Sequence, residues 1–69
     1  MQPIEVSING ERTFLPPATT VEGALQSSGY ALQYAAVALN ESFLPRDHYT
    51  LQLLQAGDRL EVLMPFVGG

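Results

Sequence analysis

The sequence contains no cysteine, no lysine and no tryptophan, and only one histidine. Without cysteine there is no disulfide, no thiolate metal site and no sulfur nucleophile, so any sulfur handled by this chain comes from another molecule. Lacking lysine, the chain offers none of the side-chain amines that would compete for an activated carboxylate, although composition alone accounts for the absence equally well. The three basic residues, Arg12, Arg46 and Arg59, form no run, and against seven acidic residues they leave a net charge of −4, which argues against nucleic acid as a partner. A more basic protein surface suits that charge, as does simple solubility. No stretch approaches the ~20 apolar residues of a membrane span, and the start carries no basic region, so the expected location is cytoplasmic, away from any membrane. The carboxylates show no paired spacing for acid–base catalysis. His48 beside Asp47 reads as a solvated pair in a polar turn, with neither catalysis nor metal binding expected of it. Gly57-Asp58 and Gly68-Gly69 are isolated, not the spaced glycines of a phosphate loop, so no bound cofactor is expected.

What is present suffices for one small folded unit. Apolar residues make up 46% of the 69 and charged residues 14%, enough for a core and unlike a disordered chain. Ile4, Val6 and Ile8 alternate with Glu5 and Ser7 as a half-buried strand, and Asn9-Gly10 fits a two-residue type I′ turn into a second strand, Glu11 to Leu15. Pro16 and Pro17 stop that strand. A helix follows, capped by Thr19 with Glu22 or by Thr20 alone, with Val21, Ala24 and Leu25 as its apolar stripe and Gly29 at its C-terminal cap. Residues 35–39 read as a third strand ending at Asn40, and Phe43-Leu44 as a short strand stopped by Pro45. Arg46 to Tyr49 reads as a polar turn before an apolar stretch, residues 51–54. Gly57-Asp58 turns the chain into a last strand in which Leu60, Val62 and Met64 alternate with Arg59, Glu61 and Leu63.

This order predicts an α+β fold of the β-grasp, or ubiquitin-like, kind: a mixed four- to five-stranded sheet wrapping one main helix, with first and last strands parallel at its centre. Residues 1–64 form the expected domain and residues 65–69 a flexible tail. That tail, Pro65-Phe66-Val67-Gly68-Gly69, has little to gain from ordering, yet it is slim enough to thread into a partner's active site and present the Gly69 carboxylate there. Gly68 keeps the thread narrow, while Val67 and Phe66 dock at the tunnel mouth. Ala36, Ala38 and Leu63 are expected on the sheet face away from the helix, as a docking patch for a partner protein, or else buried by local packing.

Several segments carry a resemblance. Residues 37–46 (Val37-Ala38-Leu39-Asn40-Glu41-Ser42-Phe43-Leu44-Pro45-Arg46), residues 54–62 from Leu54 to Val62, Ile8-Asn9-Gly10-Glu11, the Thr20-Val21 helix start and the final Gly68-Gly69 together resemble the ThiS family of sulfur carriers. The resemblance implies a non-enzymatic carrier, monomeric when free. An E1-like, ThiF-like adenylating enzyme would use ATP to activate Gly69. Sulfur drawn indirectly from a cysteine desulfurase would replace AMP, and the thiocarboxylate would pass to a thiazole synthase (ThiG-like) in thiamine biosynthesis. The ending Met64-Pro65-Phe66-Val67 is also similar to that of MoaD, the small subunit of molybdopterin synthase, whereas Leu44-Pro45-Arg46 and the short chain favour ThiS. A branch serving other biosynthetic acceptors shares the same tail. Readings from a different class are a protein modifier that forms isopeptide bonds and an interaction module with an inert tail.

Overall fold

The computed structural model describes residues 2–64. The expected tail, residues 65–69, and the roles assigned to Phe66, Val67, Gly68 and Gly69 lie outside the described residues. Strand β1 (Ile4–Ile8) and strand β2 (Glu11–Leu15) form the first hairpin, with Ile4 opposite Leu15 and Ile8 opposite Glu11. Its turn residues have φ of +52° at Asn9 and +84° at Gly10, the left-handed values a type I′ turn requires.

Helix α1 (Val21–Ser27) is short, and both its ends are closed by the sequence. Thr20, not Thr19, is the cap: its hydroxyl accepts the Gly23 N–H at 3.1 Å. The Thr19 hydroxyl instead donates to the Pro16 carbonyl at 2.6 Å. At the other end Gly29, with φ +84°, donates to the Gln26 carbonyl, and Tyr30 donates to that of Leu25. These are the two bonds of a Schellman termination. Val21, Ala24 and Leu25 are fully buried against the sheet.

Strand β3 (Ala36–Leu39) and strand β4 (Ser42–Leu44) make a second hairpin, and strand β5 (Arg59–Leu63) completes the sheet. The order is β2-β1-β5-β3-β4, with β5 parallel to β1 and antiparallel to β3. A five-stranded mixed sheet with the first and last strands side by side is therefore the observed β-grasp. Alternation places Val6, Ile8, Leu15, Val37, Leu44, Leu60 and Val62 in the core, under the helix.

Two expectations require correction. Residues 46–49 are not simply a polar turn: Arg46–His48 form a single 3₁₀ turn that drives Tyr49 into the core, where its hydroxyl donates to the Ala35 carbonyl at 2.8 Å. Within the apolar stretch 51–54, Leu54 is buried while Leu51 and Leu53 are exposed. Its backbone serves the helix start, with Val21 N–H donating to Gln52 and Leu54 N–H to Thr19. Met64 follows the last strand and is partly exposed rather than continuing the buried alternation.

Candidate functional site

The sheet face turned away from α1 carries two kinds of surface. Over β1 and β2 it presents Glu5, Ser7 and Arg12, with an Arg12–Glu5 ion pair at 3.2 Å and Phe14 exposed on the edge strand. Over β5, β3 and β4 it becomes apolar. Ala36 lies opposite Leu63, and Ala38 lies between Glu61 on one side and Phe43 on the other. Leu63 and Phe43 are each 73% exposed, a costly disposition for large apolar side chains on a folded surface.

The small side chains of β3 explain the shape. Two alanines between a leucine and a phenylalanine leave a trough, a groove of about 240 Å³ lined by Asn9, Ala36, Ala38, Phe43, Glu61 and Leu63, with Val37 at its floor. Ala36, Ala38 and Leu63 all sit on this face, Ala36 and Leu63 exposed and Ala38 half-buried. Sequence reasoning missed Phe43, whose pairing opposite Ala38 depends on the β3–β4 register, and Asn9, which it treated only as a turn former. The period of the short β4 strand was a signal for Phe43, because Leu44 points inward and its neighbour must point out.

The groove borders the C-terminal end of β5, from which the sequence continues to Pro65 and the two glycines. Asn9 closes this end from the β1 side. Its Oδ1 accepts the Val62 N–H at 2.8 Å, and its Nδ2 donates to the Val62 carbonyl at 3.1 Å and to the Tyr30 hydroxyl at 3.0 Å. At the opposite end of β5, Asn40 accepts the Arg59 N–H at 2.9 Å and donates to Asp58 at 3.0 Å.

Other candidates do not gather into a site. His48 and Asp47 are exposed on the 3₁₀ turn, as expected of a solvated pair. Arg46 donates to the Leu32 carbonyl at 2.8 Å, and Arg59 lies 3.8 Å from Glu41. Among the described residues no cluster of acidic, histidine or cysteine side chains could hold a metal ion, and no helix is long and apolar enough to cross a membrane.

Known proteins resemble this chain in sequence and in fold. A thiazole synthase of Magnetococcus marinus is 35% identical over 66 residues, which make up 96% of this chain and 20% of that protein. The chain thus spans about one fifth of the length of the curated relative it matches. The crystal structure of the thiamine biosynthesis protein ThiS from Geobacter metallireducens matches with a TM-score of 0.76 at 25% identity, covering 96% of this chain and all of that one. A solution structure of a thiamine biosynthesis protein from the same organism gives 0.78 at 26% identity, covering 96% of this chain and 88% of the other. The model of the ThiS family matches residues 3–69, nearly the whole sequence and both final glycines, and the chain belongs to that family.

Proposed function

We propose that this protein is a sulfur carrier for thiazole formation in thiamine biosynthesis, acting in the cytoplasm as a protein co-substrate and not as an enzyme. The observation that carries the reading is the family match through Gly69, on a chain whose central strand leads from an apolar groove into the glycine-ended segment. The likeness to a thiazole synthase much longer than this chain supports a ThiG-like acceptor over the molybdopterin branch.

The chemistry needs only a free carboxylate on this chain. A Gly69 carboxylate oxygen attacks the α-phosphorus of ATP in a ThiF-like partner, pyrophosphate leaves, and a mixed anhydride with AMP forms. A persulfide sulfur, drawn ultimately from a cysteine desulfurase, then attacks the acyl carbon and displaces AMP. Thiol reduction of the resulting acyl disulfide leaves the thiocarboxylate. ATP and catalysis belong to the partner. Gly68 admits a close-fitting tunnel, Val67 and Phe66 dock at its mouth, and Ala36, Ala38, Phe43 and Leu63 supply the apolar docking face.

Intact-mass spectrometry after incubation with ATP, a ThiF-like enzyme and a persulfide source tests the reading. A gain of about 16 mass units that disappears when Gly69 is deleted is the expected result. An unchanged mass, with the enzyme active on another carrier, overturns it, and a much larger adduct on lysines of other proteins makes the chain a modifier instead.

A further inference from the structure

Strand β1 is too short to cover β5. Its parallel pairing ends with Ile8 opposite Leu60, and the chain then reverses through Asn9 and Gly10. The backbone of a strand sends the polar groups of successive residues to opposite sides. The Leu60 carbonyl faces β1 and accepts the Asn9 backbone N–H at 2.9 Å, so Val62, two residues on, presents its N–H and C=O to the same side, past the last residue of β1. No main chain remains there to meet them, and a part-buried peptide group without partners is costly.

The Asn9 side chain fills that position. A carboxamide carries the same acceptor and donor as a peptide unit, and both are used on Val62, with the second amide hydrogen turned to the Tyr30 hydroxyl. The opposite orientation of the amide would set donor against donor and carbonyl against carbonyl, so the network fixes how it lies. Asn9 thereby adds one side-chain rung to the β1–β5 ladder. On the other side of β5, Leu63 is held by its register with Ala36. The two together fix the strand up to its last residue, where the groove also ends.

We infer that Asn9 is a positioning residue for the segment that follows β5: its side chain sets the point and direction from which residues 64–69 depart. The inference rests on the sulfur-carrier reading, in which that segment must reach a partner's active site while the groove is docked. A fixed point of departure lowers the ordering cost at the moment of binding, whereas a strand that frays from Glu61 lengthens the arm and spreads its end over more positions. Asn9 acts through Val62, so its effect belongs to the capture of the tail and not to the chemical step.

Asn9→Gly separates this role from the turn, because glycine keeps the left-handed conformation and removes only the carboxamide. Asn9→Asp keeps the size and one acceptor but sets a carboxylate oxygen against the Val62 carbonyl. Asn40→Gly is the control, removing an asparagine that bonds the same strand at its other end. With a ThiF-like enzyme and ATP, adenylation followed by pyrophosphate exchange should show KM for the carrier raised roughly fivefold in Asn9→Gly and in Asn9→Asp, with kcat unchanged. Asn40→Gly should match wild type in both constants. Hydrogen exchange on the chain alone should show the Val62 amide opened in Asn9→Gly and Leu60 still protected. Equal KM values for Asn9→Gly and Asn40→Gly, or a Val62 amide as protected in Asn9→Gly as in wild type, overturn the inference. A wild-type chain that is never adenylated overturns the carrier reading instead, and is told apart because the exchange pattern would still report the Asn9–Val62 rung.

Discussion

Glu41 holds φ at +71° in the turn between β3 and β4, a conformation that costs an L-residue about 1–2 kcal/mol and glycine almost nothing. Its ion pair with Arg59 is long and exposed, at 3.8 Å, so losing it matters little. Glu41→Gly should therefore stabilise the domain by about 0.5 kcal/mol, after the greater freedom of glycine in the unfolded chain is subtracted. A higher urea midpoint with an unchanged slope checks it. Tyr49 works in the opposite sense. Tyr49→Phe removes the donor to the Ala35 carbonyl in the core and should cost about 1–2 kcal/mol, read as a lowered thermal midpoint. Residues like these mark where sequence reading reaches its limit. Asn9 and Asn40 were legible as turn formers because positive φ is a local property. Their service to β5 was not, since the partners Val62 and Arg59 lie 53 and 19 residues away.

The elements differ in how openly the sequence declares them. β1 alternates apolar and polar residues over five positions and β5 over its first four, β2 is bracketed by the Asn9-Gly10 turn and Pro16, and the helix carries its cap and its stop, so all four could be read directly. The segment from Arg46 to Leu54 has no period, because Tyr49 and Leu54 turn inward while Leu51 and Leu53 face solvent. Its order comes from hydrogen bonds to the start of α1, a tertiary cause that leaves no pattern in the chain. The seven-residue helix is too short to persist by propensity and depends on its caps and its packing. Thr20→Ala should cost about 1 kcal/mol. Leu25→Ala, which empties a site with no solvent exposure, should cost about 2–5 kcal/mol and leave little of the folded state of so small a domain. Denaturant titration of both variants checks the ranking.

The two surfaces of the outer sheet face make opposite predictions for the molecule as a whole. Leu63 and Phe14 are both largely exposed, so replacing either should change stability by no more than about 0.5 kcal/mol. Leu63→Glu places a charge beside the groove and should weaken binding to a ThiF-like enzyme by more than about tenfold. Phe14→Ser lies on the far edge strand, across the polar band of Glu5 and Ser7, and should bind as wild type does. Titration calorimetry of the two variants against the same enzyme distinguishes a local docking face from general stickiness.

The strand at the middle of the sheet is also the last one among the described residues. β1–β2 and β3–β4 are not neighbours, and only β5 joins them, pairing Arg59 with Ser7 on one side and Leu60 with Leu39 on the other. A nascent chain that has emerged only as far as Asp58 therefore holds two separate hairpins, each marginal alone and each with an open inner edge. The arrival of residues 59–63 closes both edges in one step. Closure of the sheet and the start of whatever follows residue 63 thus depend on one and the same strand, so the segment after β5 has a fixed origin only once both hairpins are joined.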